Sequence, residues 1–231
     1  MDANRPATEL VLPRIAERGV VELVDNSQTS DEFHSKTSFL MGRRQFVLFT
    51  AAMLWLSGIA YGAQLWMAHA HNPGVIAPLA RQWPTASRLA PDQQHGTLVF
   101  FAHPHCPCTR AGFAKLDEAL AALPLKPAIY VVLSSDGSPT DDQKSANRRL
   151  AEAIDGAQTH IDHQGIEAGR FGAATSGFVL FYDAAGRLRF AGGLTAERGG
   201  EEPSEYESSL VQAIRNPEFP LVSTPVFGCG L

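Results

Sequence analysis

The chain has 231 residues, 45% of them hydrophobic and 19% charged, enough for one ordinary domain and a further segment. Its net charge of −5 argues against a nucleic-acid-binding role or attachment to an anionic membrane surface, because either needs a basic field. Residues 1–42 mix charges, show no sustained period and carry polar runs such as "DNSQTSDEFHSKTS"; the expectation is a disordered cytoplasmic tail. Met41, directly before "GRRQF", is an alternative start, in which case the preceding residues are an annotation artefact.

An uncharged apolar run, "FVLFTAAMLWLSGIAYGAQLWMA", extends from Phe46 to Ala68. It exceeds the roughly 20 residues that a helix needs to cross a bilayer core of about 30 Å, so residues 43–69 read as a single transmembrane anchor containing Trp55 and Trp66. Arg43 and Arg44 precede the run, and the next Lys or Arg is Arg81. By the positive-inside bias the N-terminus is cytoplasmic and the later residues are exported, which in a bacterium means an inner-membrane protein with a periplasmic domain. "GRRQFVLF" also resembles a twin-arginine export signal and "AHA" (Ala68–Ala70) a cleavage site; the length of the apolar run favours a retained anchor.

Residues 70–95 are rich in Pro, Ala and polar residues and read as a spacer that Trp83 packs against the domain. "TLVFFAH" (Thr97–His103), bounded by Gly96 and Pro104, has the pattern of a strand buried on both faces. Pro107 and Thr109 open a helix whose Phe113, Leu116, Leu120 and Leu123 form one apolar stripe. "AIYVVLSS" (Ala128–Ser135) is a second strand, and "DDQKSANRRLAEAIDG" an amphipathic helix stopped by Gly156. "GFVLFYD" and "RLRFAGG" form a hairpin across "AAG", and "PSEYESSLVQAIRN" closes the chain as a helix.

The expected order is β-α-β-α-β-β-α, with Cys106 and Cys108 of "HPHCPCTR" between the first strand and its helix. In open α/β sheets ligands and catalytic groups collect beyond the carboxyl ends of strands, where helix N-termini also point. Nothing else competes: "GGLT" and "ERGGEEP" lack the setting of a phosphate loop, no Ser-His-Asp arrangement is legible, and the pairs Asp141–Asp142 and Glu201–Glu202 read as solvated faces or helix starts.

This order and the segment "VFFAHPHCPCTR" resemble the thioredoxin fold, which implies an α/β domain (residues 96–231) with a central mixed sheet flanked by helices. "RFGAATSGFVLFYDAAGRLRFAGGLT" resembles the second half of membrane-anchored thioredoxin-like proteins of the TlpA type. The anchor, the Cys-Pro-Cys-Thr-Arg segment and the cysteine in "STPVFGCGL" together resemble the bacterial RedB family. The resemblance implies a thiol-disulfide oxidoreductase without a cofactor, acting on exported thiol or disulfide proteins. It puts Cys108 at the resolving position, His105 where the nucleophile usually stands and Cys106 where a glycine usually stands. Gly177 falls where thioredoxins carry a proline beside the cysteine pair, and its small size leaves room there for another group.

An unperturbed thiol is only about 3% ionised at pH 7, so chemistry requires a lowered pKa, which a helix N-terminus and a protonated His103 or His105 supply. A disulfide between residues two apart sits at the edge of the allowed Cα separation, so a Cys106–Cys108 ring is expected to be strained and readily reduced. Cys106 receives the attacking role because it precedes the helix and is expected to be the more exposed of the two. His105 is expected to tune it, and Gly177 to form the opposite wall. Cys229, between two glycines in a tail expected to be flexible, either folds back as a third participant or stays a free thiol. The alternative is a copper-binding chaperone using His103, His105, Cys106 and Cys108. By resemblance to the Sco proteins of the same fold, His160 or His163 would be its distant ligand.

Overall fold

A computed structural model describes residues 27–135 and 144–231. Contacts divide the chain into two units, with the boundary between Ile59 and Ala60. Helix α1 (Ser27–His71) contains the expected anchor and begins inside the polar stretch read as disordered. Residues 1–26 lie outside the described residues. Once the apolar run is helical, extending it backwards adds a hydrogen bond per residue without a second nucleation cost. Within α1, Gly42–His71 is long and apolar enough to cross a membrane, with mean hydropathy 1.7, and Phe46, Leu54, Trp55 and Trp66 are all exposed. Side chains of that kind around a whole helix require apolar surroundings.

The second unit is built on β1 (Thr97–Ala102), α2 (Thr109–Ala121), β2 (Ala128–Ser135), α3 (Ala146–Ala153), β3 (Ala157–His163), α4 (Ile166–Phe171), β4 (Phe178–Tyr182), β5 (Leu188–Gly192), α5 (Glu205–Arg215) and β6 (Val222–Ser223). The strands form one sheet in the order β3-β2-β1-β4-β5-β6. β1 runs parallel to β2 and antiparallel to β4, β4 pairs antiparallel with β5, and β3 and β6 add at the edges in parallel with their neighbours. The central β2-β1-β4-β5 arrangement is that of the thioredoxin-like fold, a mixed sheet with flanking helices.

Side-chain alternation along β1 splits the core in two. Leu98 and Phe100 face the layer of α2, α3 and α5, where Phe113, Leu116, Leu120, Ala151 and Leu210 are buried. Val99 and Phe101 face α4, packing with Phe171, Phe178 and Tyr182. All six residues of β1 are buried, as expected for a strand covered on both faces. Residues read as a spacer pack on the second face. Trp83 meets Phe171 and Tyr182 edge-on at 5.0 and 5.3 Å, as anticipated, and Ser87 Oγ and the Arg88 N–H both donate to the buried Glu167 carboxylate.

The sequence reading does not contain β3, α4 or β6. β3, "AQTHIDH", has one large aliphatic residue, Ile161, because an edge strand bonded only to β2 needs little apolar surface. α4 spans 6 residues, too few to show a helical period, and it is held at its start by Asp162, which accepts from the Glu167 and Ala168 N–H groups at 2.9 Å each. β6 has 2 residues. The expected helix start around Asp141 and Asp142 lies outside the described residues. What is described of that helix, α3, is capped by Ser145 Oγ, which accepts from the Arg148 N–H at 3.2 Å.

Candidate thiol site

β1 delivers the chain at Ala102 into the turn that carries the cysteines, and α2 leaves it at Thr109. The turn closes on itself through the Cys106 N–H, which donates to His103 O at 3.2 Å. Asn147, reaching over from α3, donates through Nδ2 to both His103 O and Cys106 O at 2.8 Å, so the turn is pinned to the first helical layer. On the other side Ser176 Oγ accepts from the His103 N–H at 2.7 Å and shares a hydrogen with Thr109 Oγ1 at 2.6 Å. Ser176 and Thr109 are both buried, so these bonds are made out of competition with water.

Cys106 is 1% exposed, whereas Cys108 is half-buried at the N-cap of α2. This reverses the expected order of exposure. The turn before the helix folds Cys106 inward, and the C-terminal tail then closes over it. The Cys229 N–H points at Cys106 Sγ at 3.4 Å. The tail is not loose: Ser176 N–H donates to Cys229 O at 2.8 Å, Leu231 N–H to Ala174 O at 3.1 Å, and Thr175 and Gly230 form an antiparallel bridge. Gly177 holds its place with φ +91° and donates to Phe101 O at 2.8 Å. A Cβ built there would lie 4.0 Å from Phe227 O, so the group that occupies the room beside Gly177 is the tail itself.

All three cysteines are free thiols, and their ionisation is unequal. Burial pushes the Cys106 pKa up, but hydrogen bonds from the Cys229 thiol, the Thr109 hydroxyl and both residues' backbone N–H groups more than offset this and bring it down to about 7. The Thr109 N–H belongs to the first turn of α2, so the helix N-terminus supplies part of the effect, as expected. The opposite happens to the neighbours. Burial, then the negative charge on Cys106, raise Cys108, and burial with the Cys106 hydrogen bond raises Cys229 to about 11. Of the three thiols Cys106 is therefore the first to ionise. The Arg198 guanidinium lowers both Cys108 and Cys229, partly countering the rise.

The groups that lower Cys106 are Thr109 and Cys229. His105 is exposed in the turn, its N–H donating to His103 Nδ1 at 3.2 Å. Among the described residues no three His, Cys, Asp or Glu side chains gather as a group that could hold a metal ion. His160 and His163 lie on the edge strand β3, separated from β1 by β2.

Four residues of the site are absent from the sequence reading: Thr109 as a donor, Ser176, Asn147 and Arg198. Thr109 was within reach, since it stands three residues from Cys106, the spacing at which a helix-start side chain meets the preceding turn. Asn147, Ser176 and Arg198 approach from distant parts of the chain and carry no local signal.

The fold and this site define the class, a thioredoxin-like domain with free cysteines at the carboxyl end of its central strand. No protein-family model matches the chain, and no curated protein matches it. Solved structures show partial similarity. A hypothetical protein from Sinorhizobium meliloti 1021 is 20% identical, with TM-score 0.47, over 69% of this chain and 94% of that one. A secreted Mycobacterium tuberculosis disulfide oxidoreductase, homologous to Escherichia coli DsbE, is 14% identical, with TM-score 0.37, over 53% of this chain and 81% of that one. The thioredoxin domain of a Bacteroides vulgatus thiol-disulfide oxidoreductase is 15% identical, with TM-score 0.37, over 63% and 99%.

Proposed function

We propose that this chain is a membrane-anchored thiol-disulfide oxidoreductase, of the kind the TlpA and RedB resemblances imply, whose domain faces the periplasm and exchanges disulfides with exported proteins. The observation that carries the reading is the Cys106 thiol, with its pKa at about 7 and two further thiols beside it. At neutral pH about half of Cys106 is thiolate, against about 3% for an ordinary cysteine. Orientation rests on Arg43 and Arg44 ahead of the apolar run.

In the reducing direction the Cys106 thiolate attacks one sulfur of a partner's disulfide. A Cys106–partner bond forms, the partner's S–S bond breaks, and its second sulfur leaves with the electron pair. Cys106 is now neutral, so the charge that raised Cys229 and Cys108 is gone while Arg198 remains. Whichever of these thiols resolves loses its proton to solvent or to the departing thiolate and attacks the Cys106 sulfur. The partner leaves with two thiols and the chain holds a disulfide, which an external dithiol reduces. The oxidising direction is the same sequence reversed. The site thus moves one negative charge among three sulfurs as exchange proceeds.

The test is a redox titration of the full chain in detergent with glutathione buffers, trapping thiols by alkylation and reading pairings by peptide mass. A reversible bond from Cys106 to Cys229 or Cys108 is expected, and its potential fixes the direction of electron flow. Thiols that stay unpaired across the whole range overturn the reading.

A further inference from the structure

The sulfur that ionises first is one that solvent barely reaches. Cys106 is 1% exposed, and the Cys229 N–H lies against it at 3.4 Å, so the C-terminal tail has to move before Cys106 can attack a partner. Arg198, in the loop between β5 and α5, holds that tail and a second segment at the same time. Its Nη1 donates to Gly228 O, one residue before Cys229. Its Nε donates to His69 O at 3.0 Å, its Nη2 lies 3.5 Å from Asn72 O, and its own N–H donates to Ala70 O at 3.0 Å. His69 and Ala70 stand in the last turn of α1, where carbonyls have no partner within the helix and a nearby cation is favoured. The neighbouring Glu197 adds an ion pair to His71 Nε2 at 3.2 Å. Beyond the helix the chain continues along the tail, the Gly74 N–H donating to Val226 O at 2.7 Å. All of these residues belong to one compact unit, which begins at Ala60 and so includes the end of α1.

We propose that Arg198 is a positioning residue that latches the tail over Cys106 to the end of the apolar helix α1, so that a shift of the helix end uncovers the sulfur. This rests on the exchange function proposed above and adds what governs access to its nucleophile. A guanidinium suits the task, because its planar fork carries donors in several directions and reaches the helix carbonyls and the tail carbonyl at once. The same group lowers the Cys108 and Cys229 thiols, so releasing the latch withdraws a positive charge from them as it opens the way to Cys106. Access and charge at the site are thereby tied to where the helix ends.

The experiment uses the full chain in detergent with Cys108→Ser and Cys229→Ser, which leaves Cys106 as the sole thiol of the chain. Alkylation by iodoacetamide, a small neutral reagent, is followed over a pH series, and the rate is taken on the high-pH plateau, where Cys106 is fully ionised and only access counts. Arg198→Met is expected to raise the plateau about tenfold or more, because losing hydrogen bonds to a charged group lets the tail open more often. Arg198→Lys is expected to do the same, since an ammonium keeps the charge but cannot span His69 and Gly228 together. Inserting Gly-Ser-Gly between His71 and Asn72 frees the helix end without altering any side chain, and is expected to raise the plateau about threefold or more. Circular dichroism melts taken alongside identify a variant that has not folded, in which case the insertion carries the test. A plateau unmoved by Arg198→Met overturns the latch, and a wild-type plateau in Arg198→Lys overturns it in favour of charge alone. A plateau raised by both Arg198 variants but unmoved by the insertion overturns the coupling to α1. Alkylation needs no disulfide partner, so failure of the exchange function shows in the redox titration and leaves these rates readable.

Discussion

The two ends of the sheet differ in a way that separates space from chemistry. A cavity of about 520 Å³ opens at the end where β1 begins, lined by His95, Leu125, Asp183, Arg187 and Arg189 among others. At the other end, where β1 stops, the three cysteines meet with little room between them. The roomy end has no nucleophile, and its Asp183 and Arg187 are engaged with each other at 3.0 Å. At the crowded end, the Thr109 and Cys229 N–H groups, the Thr109 hydroxyl, the Cys229 thiol and a helix N-terminus converge on one sulfur. What makes a thiol reactive is the density of donors around it, and donors at hydrogen-bonding distance leave no cavity.

Substitutions at each end sharpen the contrast. The largest effect belongs to Cys106→Ser, which is expected to lower exchange with a small aromatic disulfide by about 100-fold or more, because burial, the largest cause of the raised Cys108 and Cys229 pKa values, remains when the Cys106 charge is removed. A loss of only a few-fold would move the nucleophile to Cys108 or Cys229. Thr109→Val comes next. With its hydroxyl donor gone, burial is less well opposed and the Cys106 pKa rises above about 7. The rate in the wild-type chain climbs with pH and levels off above about 7; in the variant the climb moves to higher pH while the plateau is kept. Thiolate ultraviolet absorbance across a pH series reads the shift directly, and an unmoved midpoint would remove Thr109 from the site. Smallest is Leu125→Ser at the roomy end. Leu125 is 59% exposed, so stability is expected to change by less than about 0.5 kcal/mol and exchange not at all. A measurable loss of exchange there would mean that the cavity, too, belongs to the function.

The same contrast separates what could be read along the chain from what could not. β1, β2, α2, the hairpin of β4 and β5, and α5 declare themselves through period and punctuation, because each buries a stripe or a face of its own residues. The placement of the Cys-Pro-Cys segment between a buried strand and a helix follows directly. β3 and α4 are silent, since an edge strand and a helix of 6 residues bury too little to impose a period. The exposure of the cysteines came out reversed for a related reason: local sequence shows that Cys106 lies in a turn but not that Cys229, more than a hundred positions away, lies against it. The vacancy at Gly177 does admit another group, the tail, whose Cys229 joins Thr109 in supplying donors to the Cys106 sulfur.

By itself, then, the amino-acid order determined an uncharged helix long enough to span a membrane, an α/β domain after it, and a pair of cysteines at the carboxyl end of the domain's first strand. Those properties depend on runs and spacings of neighbouring residues. Which sulfur holds the charge, which one is covered, and which backbone edge the tail occupies were decided only when Ser176, Asn147, Arg198 and Cys229 were folded around one turn. Burial and hydrogen bonding act through space, and the groups that supply them here come from segments that sequence distance keeps apart.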